Sequence, residues 1–222
     1  INMNLGKVFG ETYELLFQGL QVTIQVTVLS LLIAFVLGLI TSLLGFSKTP
    51  LRWISKVYVW LIRGTPVMVQ VFYIYFALPQ LLQSLGYDVR LTSFMAGLIT
   101  LTLNAGAYMS EIFRGAILAV NSGQMEAARS LGLSKGQAMR KVVLPQAIRI
   151  CLPSLVNQFI ITLKDSSIIS VIGLTDIMYQ AKIYVGRSME SFATYTWVAV
   201  FYLVIITILT QIAKRVEKKV MI

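Results

Sequence analysis

The chain has 222 residues, 57% hydrophobic and only 13% charged, about half the charged share of a soluble domain, which points to an integral membrane protein. Its net charge of +10 sits at the ends of apolar runs, where basic residues meet anionic lipid headgroups, and this argues against nucleic acid as a partner. A single cysteine, Cys151, excludes an internal disulfide, the lack of histidine excludes a Cys/His metal site, and no GxxxxGK[ST] phosphate loop occurs.

The first charge-free window lies between Glu14 and Lys48. As a helix it would reach about 50 Å, more than the roughly 30 Å hydrocarbon core needs, so a span over about 15–45 is expected to tilt or project beyond the lipid. With no basic region, short apolar core and cleavage site ahead of it, the span is expected to serve as its own uncleaved targeting signal. Ile1 as first residue suggests a start that is not shown. Ser30, Ala34, Gly38 and Ser42 recur every four residues, a small-residue stripe predicted to receive another helix inside the bundle rather than at a dimer seam.

Between Ser47 and Arg63, Arg52, Lys56 and Arg63 share one helical face, with Trp53, Tyr58 and Trp60 between them. This is the pattern of an interfacial elbow. A second span is expected over about 61–82, opened by Arg63-Gly64-Thr65-Pro66, where proline near a helix start costs little. After an outer loop over about 83–91, a third span over about 91–113 carries Thr100, Asn104, Tyr108 and Glu111 at spacings of four, four and three. They make one polar face. That face either bonds neighbouring helices or lines a pathway, with Glu111 read as structural.

The long polar island is Asn121–Gln146. It reads as two short helices: Asn121 with Gln124 suggests one capping box, Ser134 with Gln137 a second, and Gly132 ends the first helix. Pro145 is expected to stop or kink the second. A fourth span over about 150–174 holds Lys164 and Asp165 near its middle. Its apolar residues contribute roughly −6.5 kcal/mol to insertion and the two charges cost roughly 5 to 7, so it must be buried in a bundle with its charges paired or facing water. A polar outer segment over about 175–191 precedes the last span, about 192–213, and a Lys214-Arg215, Lys218-Lys219 tail.

An outside N-terminus leaves only Lys7, Arg90, Lys182 and Arg187 outside, with Lys164 in the membrane, as the positive-inside rule prefers. The C-terminus and the polar island are then cytoplasmic.

Glu126-Ala127-Ala128, three residues, Gly132, nine residues and Val142-Val143-Leu144-Pro145 resemble the EAA signature of ABC importer permeases, with Val142 where the consensus has Ile. GLQVTIQVTVLS, RGTPVMVQVF, AYMSEIFRGAI and LKDSSIISVIGL, in that order, extend the resemblance to the polar amino acid uptake branch. It implies an all-α integral membrane protein, a single permease domain over 1–222 with a five-span type I importer core and a cytoplasmic coupling helix, in the plasma membrane of a prokaryote. The expected partners are two ATP-binding subunits, which hold ATP and magnesium, a second permease copy or close relative, an external substrate-binding protein and membrane lipid. No catalytic residue, resident cofactor or metal is expected in this chain.

The resemblance places the ATPase contact on Glu126, Ala127, Ala128, Gly132 and Leu133. The small Ala pair allows close approach and Glu126 offers a charge to a basic partner. For an amino acid substrate, Asp165 is the acceptor for positive charge, with Lys164, Ser166, Ser167, Asn157, Gln158, Asn104 and Tyr108 as further pathway candidates. Lys164 and Asp165 point about 100° apart on a helix, so each has the alternative of pairing with another span to lock the bundle. A basic, arginine-like amino acid is the favoured substrate and glutamine the alternative. An ion-gradient-driven carrier is the competing class, but internal repeats with matching broken helices, its usual mark, are not evident.

Overall fold

The computed structural model describes residues 5–220, and no strand occurs among them; Ile1 lies outside this range and the side chain of Lys219 is not described. Ten α-helices follow in order: α1 Leu5–Phe46, α2 Leu51–Arg63, α3 Val67–Phe72, α4 Leu78–Ser84, α5 Ser93–Ala119, α6 Ser122–Ser130, α7 Lys135–Ala138, α8 Leu144–Asp165, α9 Ile177–Ser188 and α10 Ser191–Val220. A π turn, Tyr73–Ala77, joins α3 to α4, another, Met139–Val143, joins α7 to α8, and a 3₁₀ segment, Ser166–Ile172, extends α8.

Among the described residues four helical stretches are long and apolar enough to cross a membrane: Leu5–Phe46, Val67–Ser84, Lys135–Ile172 and Ser191–Arg215. The third expected span, α5, is not among them. Its apolar content is diluted by polar residues, yet Thr100, Thr102, Asn104 and Ser110 are all buried against the bundle.

The 42-residue α1 is about 63 Å long, and α5 packs along it. All four members of the small-residue stripe are buried. A Cβ added to Gly38 would lie 2.8 Å from Met109 Cβ, while Ser30 Oγ and Thr102 Oγ1 bond across the seam to Leu98 O and Ser30 O, each at 3.4 Å. The stripe therefore serves contact inside the bundle. Nearer the N-terminus a Cβ on Gly19 would lie 2.7 Å from the Ile177 backbone, so only glycine lets α9 sit this close.

Gly64-Thr65-Pro66 separates α2 from α3, so the second span begins at Val67 rather than near Leu61. Pro145 does not stop a helix. It follows the π turn as the second residue of α8, and the helix runs on from Lys135 to Ile172. Proline lacks an N–H and its ring crowds the preceding turn, and widening that turn by one residue relieves both. The same Leu-Pro-Gln triplet follows both π turns, as Leu78-Pro79-Gln80 and Leu144-Pro145-Gln146. The polar segment after Gly173, expected only as an outer loop, contains a helix: Asp176 caps α9 by accepting Tyr179 N–H at 2.9 Å.

Candidate functional site

Three regions hold the residues singled out from the sequence, and one continuous helix connects the first two. The first is the polar island. Asn121 caps α6 by accepting Gly123 N–H at 2.8 Å. The reciprocal box expected with Gln124 does not form, because Gln124 instead accepts from Gln146 Nε2 at 3.3 Å, tying α6 to α8. The second box is present: Ser134 Oγ accepts Gln137 N–H at 3.3 Å, and Gln137 Oε1 accepts Ser134 N–H at 2.9 Å.

Between these helices the chain makes a Schellman turn. Leu133 N–H donates to Ala128 O at 3.2 Å and Gly132 N–H to Arg129 O at 3.0 Å, with Gly132 at φ +85°. This left-handed conformation is the one glycine adopts without penalty. The turn projects Leu131, 85% exposed, while Ala128 is only 4% exposed. Glu126 and Ala127 are exposed and Leu133 is half-buried. Ala128 thus packs inward, and Leu131 is the outward apolar residue that the pattern reading passed over. Leucines flank the turn glycine on both sides in the sequence, and the turn geometry leaves Leu131 the more exposed of the two.

The second region is the end of α8. Asp165 is its last residue, half-buried, and Lys164 beside it is exposed. Among the described residues neither forms an ion pair. The alternative in which each locks the bundle through an ion pair with another span is therefore not realised among the described residues. Ser166 and Ser167 turn their hydroxyls back to Leu163 O and Lys164 O at 2.8 and 2.7 Å. The 3₁₀ stretch tightens the C-terminal end of the helix before Gly173, at φ +86°, closes it. Gln158 is buried and bonds Thr162 of its own helix at 3.3 Å, whereas Asn157 is exposed.

Asn104 and Tyr108 are held elsewhere, at the elbow between α2 and α3. Asn104 Nδ2 donates to Gln70 Oε1 at 3.1 Å, and Gln70 Nε2 donates to Ile62 O at 2.7 Å and Thr65 O at 2.9 Å. The Arg63 guanidinium lies 5.1 Å from the centre of the Tyr108 ring and 3.6 Å from Glu111, which also pairs with Arg114 at 2.6 Å. Among the described residues no hydrogen bond or ion pair joins Asn104 or Tyr108 to residues 157–167. Their polar face fastens a helix break.

Asp176 lies just beyond the four candidate spans and is fully buried. Its Oδ1 caps α9, while Oδ2 has no partner, and the buried Tyr202 hydroxyl also lacks one. Burial raises its pKa from the usual 3.8 to about 6. The folded state then binds more protons than the unfolded state between those values, so this contribution is fully present below pH 3.8 and is lost as pH rises through about 6. The difference is about 3 kcal/mol. Asp176→Asn keeps the cap and cannot ionise. The purified variant should melt above the wild type at pH 8 and together with it near pH 4; equal melting at both values would show that burial does not raise the Asp176 pKa.

Residues 34–222 match the family described as binding-protein-dependent transport system inner membrane component. The chain is 40% identical over 212 residues to the glutamine transport system permease protein GlnP of Escherichia coli (strain K12), covering 94% of each. It is 38% identical over 211 residues to the arginine transport system permease protein ArtQ of Bacillus subtilis (strain 168), covering 92% of this chain and 91% of that one. A crystal structure of an amino acid ABC transporter superposes with a TM-score of 0.89 at 37% identity, covering 96% of this chain and 97% of that chain.

Proposed function

Because the chain belongs to the binding-protein-dependent inner membrane components, as a polar amino acid ABC importer permease with the type I fold, we propose that it carries a basic, arginine-like amino acid by alternating access. In this reading ATP and magnesium are held by two partner ATPase subunits, and a second permease copy or close relative completes the pathway. An external binding protein delivers the substrate. Five segments cross the membrane: α1, α3 with α4, α5, α8 with its 3₁₀ end, and α10. The N-terminus lies outside and the C-terminus in the cytoplasm, which puts the polar island on the ATPase side.

The observation that carries the substrate assignment is Asp165, a half-buried carboxylate without an ion-pair partner among the described residues. An intramembrane acid left unpaired by its own chain is suited to hold a cationic group in transit. Lys164, Ser166 and Ser167 adjoin it in the chain, and Asn157 and Gln158 lie about two turns earlier on α8. The similarity to a glutamine permease supports the second reading, a neutral polar substrate. The test is ATP-driven uptake into proteoliposomes containing the permease, its ATPase subunits and its binding protein. Arginine should enter, resist competition by glutamine, and stay out when ATP or the ATPase is omitted. Preferential glutamine uptake would move the assignment to the second reading, and uptake without ATPase would overturn both.

A further inference from the structure

The α2 helix carries three separate faces. Ser55 and Ile62 are buried against the bundle, where Ser55 Oγ bonds Thr41 O at 2.8 Å and Tyr58 Oη bonds Leu103 O at 2.6 Å. At 100° per residue, Arg52, Lys56 and Arg63 fall within about 40° of one another on a second face. Arg63 is engaged by Glu111, but among the described residues Arg52 and Lys56 form no ion pair. The third face is Trp53, Ile54, Val57, Trp60 and Leu61, all exposed, with Trp60 at 74%.

Beneath the helix, about 160° from the cationic row, a half-open groove of 470 Å³ runs between Leu61, Val69, Tyr73, Ile74, Leu78 and Leu103. That volume lies within the roughly 300–1,000 Å³ of small-molecule pockets. Its lining is almost entirely apolar, and the Gln70 amide at its edge is already bonded to Ile62, Thr65 and Asn104. Apart from the Tyr73 hydroxyl, the lining offers nothing to the carboxylate and ammonium of a zwitterionic amino acid.

An α-helix with its side chains is about 10 to 12 Å across, and an interfacial helix sinks about 5 to 10 Å into the headgroup boundary. With α2 lying in the interface plane, as its charge and aromatic pattern suggests, phosphate held by the cationic row places the groove about one helix diameter deeper, at the depth of acyl chains. We propose that Arg52, Lys56 and the groove under α2 form a site for one anionic phospholipid, its phosphate on the two cations and one chain in the groove. The groove walls are the α2–α3 elbow and the π turn at Tyr73–Ala77, so the chain props open a break that Asn104 and Gln70 fasten from the other side. This site rests on the chain's membrane location and not on which amino acid it carries.

The experiment uses the assembled transporter in mild detergent, incubated with equimolar phosphatidylglycerol and phosphatidylcholine, with bound lipid counted by native mass spectrometry. The wild type should retain phosphatidylglycerol preferentially. Arg52→Gln with Lys56→Gln should lower that preference on the order of tenfold while leaving assembly intact by gel filtration. Val69→Trp, at an exposed groove position, should displace lipid of both kinds. Equal retention of the two lipids by the wild type would overturn the headgroup assignment. Unchanged retention in Val69→Trp, or a cysteine crosslink at position 69 to a second permease copy, would overturn the groove assignment.

Discussion

Gly132→Leu should abolish most ATP-driven uptake, by about tenfold or more, while the permease still inserts and assembles. The cause is conformational rather than steric. A Cβ at Gly132 would meet nothing within 4 Å, but the residue stands at φ +85°, where a side-chain-bearing residue costs roughly 1–2 kcal/mol. Relief of that strain would break the two bonds of the Schellman turn and re-aim Leu131 and Glu126 together. A shift of about 1.4 kcal/mol already changes the population of the correct turn tenfold. Gly136 is the internal control, since it has equally open surroundings and no positive φ. Gly136→Ala should leave uptake unchanged. The measurement is uptake per ATP hydrolysed in proteoliposomes; a Gly132→Leu transporter with wild-type coupling would remove this turn from the ATPase contact.

Asp165→Asn should have the second large effect, and a selective one. The substitution keeps shape and removes charge. Bonds to a charged group contribute about 1.5–3 kcal/mol, so uptake of a cationic amino acid should fall roughly 10- to 100-fold. Neutral glutamine uptake, if present, should fall much less. That split distinguishes a substrate contact from a structural one, because a loosened bundle would slow both. Concentration dependence of arginine and glutamine uptake, with ATPase activity in parallel, reads it directly. Equal loss for both substrates would make Asp165 a packing residue.

The sequence made the polar island legible because its signals are local. Gly132 announces a left-handed turn, and the Ser134–Gln137 box sits three residues apart as a first helical turn demands. The small-residue stripe of α1 was equally readable, since close helix approach leaves no other use for Ser30, Ala34, Gly38 and Ser42 in an apolar run. What remained hidden depends on partners distant in the chain. A polar face on α5 says that Asn104 and Tyr108 avoid lipid, but only the fold shows that Gln70 and Arg63 occupy them. Pro145 reads as a break because sequence patterns carry no mark of the extra residue that lets a π turn absorb it. Ala128 and Leu131 differ by three positions, and only the turn geometry sends one inward and the other out.

The stretch from Lys135 to Ile172 is unbroken, so Leu133 at one end and Asp165 near the other are joined by a beam of about 45 Å. A tilt of about 5° around its midpoint displaces each end by about 2 Å. Beams transmit bending and torsion differently when they contain a collar of lower stiffness. The π turn at Met139–Val143 is such a collar, one turn from the loop end, where the wider ring loosens the hydrogen-bond ladder, and Pro153 inside α8 removes a further bond from it. A sideways push on the loop would then reach Asp165 as tilt, while part of any twist would be taken up at the collar. The carboxylate at the far end would register the direction of a push on the loop more than its rotation, which acts as a mechanical filter set by one extra residue.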